Sequence, residues 1–175
     1  MGKVTARALR EHLRDKPHDV LVEEIVHLSS RNDAVREYFA AQLGVGPQAD
    51  VLAKYKAVIT REFSGRGDNL PRLSTARKAV LDYKKLAQSP VPVVDLMLYY
   101  VESGVQFTNR FGDINEAFYS SVEGMYEQAL KLIVQHQLQD QFERRCKQIV
   151  TATHDIGWGF HDQLSVLYAE AFEHP

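Results

Sequence analysis

Apolar residues recur at intervals of three and four along nearly the whole chain, and no useful length alternates apolar with polar. The first spacing stacks side chains on one face of a helix, whereas the second would line one face of a strand. The chain reads as all-α. Val4 to Asp15 predicts a short amphipathic helix on Val4, Ala8, Leu9 and Leu13. Pro17 has no N–H to lose, so it suits the first turn of a second helix, with Val20, Leu21, Ile25 and Leu28 on one side. Asn32 or Asp33 caps a third, which carries Val35, Tyr38, Phe39 and Leu43 and stops at Gly44.

After GVGPQAD, Pro47 opens a longer helix to Phe63 that buries Val51, Leu52, Tyr55, Val58, Ile59 and Phe63. SGRGDNLPRLS, rich in residues that favour turns, is the one long loop. A helix restarts at Ser74 or Thr75 and runs to about Gln88. The next, Pro90 to Phe111, is apolar nearly all round at its start (VVDLMLYYV), which predicts the central, most enclosed helix. Asp113 followed by Glu116 has the spacing of a capping box for a helix on Phe118, Val122, Met125, Ala129, Leu132 and Ile133. Asp140 to about Thr153 gathers Phe142, Cys146, Ile149 and Val150, and Phe160 to Phe172 gathers Leu164, Leu167, Tyr168 and Phe172. About nine helices with short joints give either a compact multi-helix bundle or a short, solenoid-like stack of antiparallel helix pairs, with no fixed-period repeat. The 175 residues read as one helical domain, divisible into a short-helix segment, residues 1–45, and a long-helix segment, residues 46–175.

Composition adds the compartment. One cysteine, Cys146, forbids an internal disulfide, and it shares a face with Phe142 and Ile149, which predicts a buried, inert thiol. The N-terminus is charged throughout, unlike a secretion signal, and the longest apolar run is too short to span a bilayer of roughly 30 Å. The expectation is a soluble, cytoplasmic protein with no membrane partner. The net charge of −2 is uneven: Lys54 to Lys85 is basic, while no Lys or Arg follows Thr151.

Four groups of residues bear on chemistry. In HDIGWGFHDQL, His154, Asp155, His161 and Asp162 are metal-ligand types, but glycines interrupt the helix that would align the imidazoles, and HExxH is absent. Helix capping accounts for them better: Gly157 supplies a left-handed residue, Trp158 packs into the core, Asp162 meets the dipole of the last helix, and His161 bonds the preceding turn. His-Asp pairs also invite comparison with helical metal-dependent phosphohydrolases, yet too little chain follows Asp162 to supply the distant aspartate, and the early pair His18-Asp19 lacks the spacing. Arg66, Arg72, Arg77 and Lys78 flank a loop and a helix start suited to anions, though no P-loop, zinc-finger or RRM signature accompanies them. Asp95, Tyr99 and Glu102, continued by Gln106 and Asn109, form a polar stripe on the central helix; it either lines a pocket or is the wet side, its carboxylates meeting Arg77 or Lys84. No nucleophile elbow or dinucleotide fingerprint is present.

KYKAVITREF, STARKAVLDYKKL, DLMLYYVESGVQFTNRFGDINEAFYSSVEGM and RCKQIV leading to IGWGFHDQLSVLY span most of residues 54–168. In these blocks the chain resembles a family of small bacterial all-helical proteins catalogued only as a domain of unknown function. The resemblance implies no activity or ligand; it directs attention to GDINEAFY and IGWGFHD as a shared surface, with Asp113, Glu116, Tyr119, Trp158 and Phe160 its residues. The expected function is a non-enzymatic module that docks another protein and needs no cofactor. The alternatives are a metal-dependent hydrolase or metal-binding protein at the His-Asp pairs, and RNA or polyanion binding by residues 54–85.

Overall fold

A computed structural model describes residues 5–43, 48–65, 70–87 and 89–173. Among them are nine helices and no strand, so the chain is all-α. The Cα trace divides into two compact units, Met1–Gly46 and Pro47–Pro175.

The first unit holds α1 (Ala6–Arg14), α2 (His18–Arg31) and α3 (Asp33–Leu43). Local chemistry sets their starts. The Thr5 hydroxyl accepts from the Ala8 N–H at 3.2 Å, and Asn32 Oδ1 accepts from the Ala34 N–H at 3.0 Å, satisfying donors that a first helical turn leaves open. Pro17 immediately precedes α2. The Gly44 stop lies outside the described residues. No described side chain of this unit is buried.

The second unit holds α4 (Gln48–Phe63), α5 (Leu73–Leu86), α6 (Pro90–Phe111), α7 (Glu116–Gln135), α8 (Gln139–Thr151) and α9 (Phe160–Phe172). The apolar start of α6 has the consequence its sequence predicts: α6 packs on α4, α5, α7 and α8, while α9 packs on α7 and α8. Tyr100, Tyr126, Phe118, Phe160, Leu96 and Met97 are fully enclosed in the core, each such side chain stabilising by about 1.5–3 kcal/mol relative to exposure. Gly104 of α6 sits so close to α7 that a Cβ there would lie 2.7 Å from Val122 Cγ2, so the two helices meet at backbone distance. Buried hydroxyls are paired: Tyr100 with Ser121 Oγ at 2.8 Å, and Tyr126 donating to the Cys146 carbonyl at 3.2 Å. Burial pushes both phenols above their usual range, keeping them neutral.

Two helix starts differ from the sequence expectation. The α7 cap is Asn115, whose Oδ1 accepts from the Phe118 N–H at 2.9 Å, rather than Asp113; Glu116 becomes the first helical residue instead of the third. The chain needs Gly112, Asp113 and Ile114 to turn out of α6, Gly112 taking φ 85, a backbone conformation that other residues adopt only with strain, and the first residue in position to cap is the next one. Helix α5 begins at Leu73, one residue before the Ser/Thr pair, with no side-chain cap.

Candidate functional site: the Trp158 corner

Between α8 and α9 the chain turns through HDIGWG. Ile156 is buried and anchors the turn, and Phe160 is fully enclosed at the start of α9. Trp158, held between those two anchors, is 63% exposed. This corrects the expectation that it packs into the core. The left-handed residues of the turn are Trp158 at φ 64 and Gly159 at φ 69, rather than Gly157. Two successive left-handed residues swing the indole outward, where it lies against the Tyr119 ring, centroids 6.2 Å apart and planes 28° from parallel. A bulky L-residue in that conformation is strained by about 1–2 kcal/mol.

Tyr119 is the hinge of the site. Its ring is buried between Trp158 and Phe160, the latter at 5.1 Å, and its hydroxyl pairs with Thr108 Oγ1 at 2.8 Å and donates to Asp113 Oδ1 at 3.4 Å. Of the five residues named from sequence as a surface, Asp113, Tyr119, Trp158 and Phe160 are brought together, but Tyr119 and Phe160 are buried beneath the indole rather than presented on the surface. Glu116 is exposed in the first turn of α7.

Thr108 and Asp113 also line a cavity of about 400 Å³, with Asn109, Gly112, His154 and Asp155. Its walls include the last turns of α6 and α8, where the helix dipoles place partial negative charge, and the Thr108, Gly112, Thr151 and Ala152 carbonyls there already accept hydrogen bonds. Asn109 donates to one of them, the Ala152 carbonyl, at 2.9 Å. Glu116 and Asp162 stand in first helical turns, where the positive dipole end balances their charge. Asp113 and Asp155 have no such balance, and the Asp155 side chain is 99% exposed. No Lys or Arg occurs from Phe111 to Leu130 or after Thr151, the two stretches that build the corner. Arg110, just before the first of them, stacks its guanidinium 5.1 Å from the Phe111 centroid.

The His-Asp pairs share this corner without assembling a ligand set. The imidazoles of His154 and His161 lie 5.7 Å apart, centroid to centroid. His154 Nδ1 pairs with Asp155 Oδ1 at 3.0 Å, while His161 Nδ1 pairs with Thr153 Oγ1 at 2.9 Å, a bond back to the preceding turn. Asp162 stands in the first turn of α9. Among the described residues no group of three or more His, Cys, Asp or Glu is placed to hold a metal ion.

Asn109, at the end of the polar stripe of α6, lines the cavity, whereas Asp95 and Glu102 are taken up in ion pairs, and not with Arg77 or Lys84. Arg145 of α8 bridges the two carboxylates, donating through Nε and Nη2 to the two Glu102 oxygens at 2.6 and 2.8 Å and through Nη1 to Asp95 Oδ1 at 2.5 Å. Lys56 of α4 takes Asp95 Oδ2 at 2.7 Å and lies 5.1 Å from the Tyr99 ring centroid, whose hydroxyl pairs with Thr60 at 2.6 Å. Burial depresses the guanidinium's pKa, but the bonds and charges of Glu102 and Asp95 outweigh it and hold it above its usual value. Sequence reading missed Arg145. Its signal was position: three residues after Phe142 and four before Ile149, it shares the inward face of α8, where a charge needs a partner.

The cations named for anion binding are engaged inside the unit. Arg72 holds the buried Glu62 carboxylate with two bonds of 2.9 and 3.1 Å, Arg77 donates to Ser121 Oγ at 3.2 Å, and Lys78 pairs with Asp82 at 2.5 Å. Arg66 lies outside the described residues. Cys146 is buried, and burial pushes its thiol up to about 12, which makes it inert as expected. Among the described residues no helix is long and apolar enough to cross a membrane.

A family model described as "Family of unknown function (DUF6155)" matches residues 4–173. No curated protein and no solved structure matches the chain.

Proposed function

The chain belongs to this family of unknown function, DUF6155, and we propose that it is a non-enzymatic protein-interaction module whose Trp158 corner receives a basic segment of a partner protein. The observation that supports this reading is the exposed indole, kept on the surface by a strained backbone and backed by Tyr119. Strain at a surface position is costly to keep, and it concentrates where a molecule binds. Tryptophan is also the residue most enriched among energetic anchors of interfaces and the best face for a cation.

The chemistry of the partner follows from the surroundings. Two helix C-termini, Asp113 and Asp155 favour positive charge in the cavity next to the ring stack. An Arg or Lys side chain entering there gains the two carboxylates and the negative ends of two helix dipoles, while its neighbour in an extended segment lies on the indole.

The test is selection of a displayed peptide library on the full chain, with counter-selection on a Trp158→Asn variant. Peptides enriched in Arg or Lys that bind the native chain and lose at least tenfold in affinity on the variant are the expected result. Enriched peptides that are acidic, or that bind both proteins equally, would overturn the reading.

A further inference from the structure

We infer that the first unit is a self-association hairpin: α1 and α2 of one copy pack against α2 and α1 of a second. The unit is too small to be stable on what it encloses. The unit, Met1–Gly46, is little longer than the roughly 40 residues below which a disulfide, a metal or oligomerisation is usually needed, and no described side chain in it is buried. On α2, Val20, Val22, Ile25, Val26 and Leu28 are all 42–57% exposed, spread round most of the helix. A helix apolar over so wide an arc is normally covered on more than one side. With Leu9 and Leu13 of α1, Val20, Ile25 and Leu28 line a groove of about 830 Å³, while Val22 and Val26 lie outside it.

The rims of that groove identify the occupant. On the α1 side stand His12 and Lys16; on the α2 side stand Asp19, Glu23, Glu24 and His27. Around them the segments differ in sign: Thr5 to Lys16 carries four cations against two carboxylates, and Pro17 to Asn32 carries three carboxylates against one cation. Within one copy Lys16 bonds Glu24, one of the carboxylates on the α2 side of the groove. A two-fold axis that lays α1 on the partner's α2 repeats this match twice, placing each basic rim on an acidic one and each apolar groove on the other. Such a surface is its own complement, as a two-fold interface requires. Another protein would need both signs in mirrored register, and a lipid surface would be repelled by Asp19 and Glu23.

Sedimentation velocity of the full chain over about 1–100 µM tests it. The expected mass is twice 19.9 kDa, with reversible dissociation on dilution. Asp19→Lys/Glu23→Lys and His12→Glu/Lys16→Glu variants should each raise the dissociation constant at least tenfold, and an equimolar mixture of the two should recover the dimer. Repair by mixing distinguishes rim pairing from a folding fault in either variant. Trp158→Asn should leave the mass unchanged, so this result is independent of the peptide selection above. Three results would overturn the inference: a monomer throughout the range, a dimer indifferent to the reversed charges, or a mixture that stays monomeric.

Discussion

Replacing Arg145 by Leu removes the cation that joins α8 to α6 while keeping comparable apolar volume. The side chains concerned are only 24% (Arg145), 25% (Asp95) and 28% (Glu102) exposed. Stripping one partner from a fully buried ion pair costs about 3–5 kcal/mol, because the remaining charge is left desolvated. Here about a quarter of each carboxylate-bearing side chain touches water, and Lys56 still neutralises Asp95, so a cost of about 2 kcal/mol is expected, most of it from Glu102. For a unit of this size that lowers the thermal midpoint by roughly 5–10 °C. Far-UV circular dichroism during thermal and urea unfolding measures it, and a Glu102→Leu change in the same background isolates the cause. If the orphaned carboxylate is responsible, the double variant recovers about 1 kcal/mol of what Arg145→Leu lost, although Glu102→Leu alone destabilises. A loss below about 0.5 kcal/mol, or a double variant whose cost is the sum of the singles, would refute the reasoning.

The remaining expectations are briefer. Cys146, with its thiol raised to about 12, stays protonated from pH 7 to 9, so thiol reagents should label the native protein at pH 8.5 no faster than it unfolds; rapid stoichiometric labelling would contradict its burial. Gly104→Ala forces a methyl onto Val122 and should destabilise by about 1–3 kcal/mol in urea titration, helix propensity notwithstanding; a more stable variant would show that α6 and α7 separate freely. Burial raises the Glu123 carboxyl above its usual range, so folding favours its neutral form, and the stability that form provides is lost as pH rises through the folded value. Glu123→Gln should therefore raise the thermal midpoint at pH 7 and leave it unchanged at pH 3, and an equal shift at both would refute the assignment. Trp158→Asn should change unfolding stability by less than about 1 kcal/mol, since Asn tolerates a left-handed backbone and the relief offsets the lost Tyr119 stack; a larger loss would make the indole a structural element.

Helix positions were largely legible because their signals are local. Pro17, Asn32 and Pro90 act on their own backbone or the next turn, and the apolar run of α6 announces enclosure whatever surrounds it. What was illegible depends on where distant chain falls. Arg145 finds carboxylates 43 and 50 residues away, and nothing near it in sequence distinguishes them from Asp82 or Glu62. The choice between Asp113 and Asn115 as cap turned on how many residues α6 needed to turn round. Trp158 is the sharpest case: its hydrophobicity pointed inward, whereas two buried neighbours, Ile156 and Phe160, fix the turn so that only an outward path remains.

That path bears on why the corner exists. Were Trp158 there for stability, the simpler arrangement would give the left-handed position to Gly157 and send the indole to the core, where an aromatic side chain stabilises most. The chain has glycine on both sides of it and uses one as the second left-handed residue, so backbone freedom was at hand and strain was not forced by composition. What the strained geometry secures instead is a large rigid ring seated on a buried tyrosine, with little conformational entropy left to lose on contact. The same tyrosine hydroxyl ties that ring to the wall of the cavity that Asp113, His154, Asp155 and two helix C-termini line. A side chain whose strain only offsets its own stacking, yet is held still by a buried partner, is the arrangement that the proposed docking role requires.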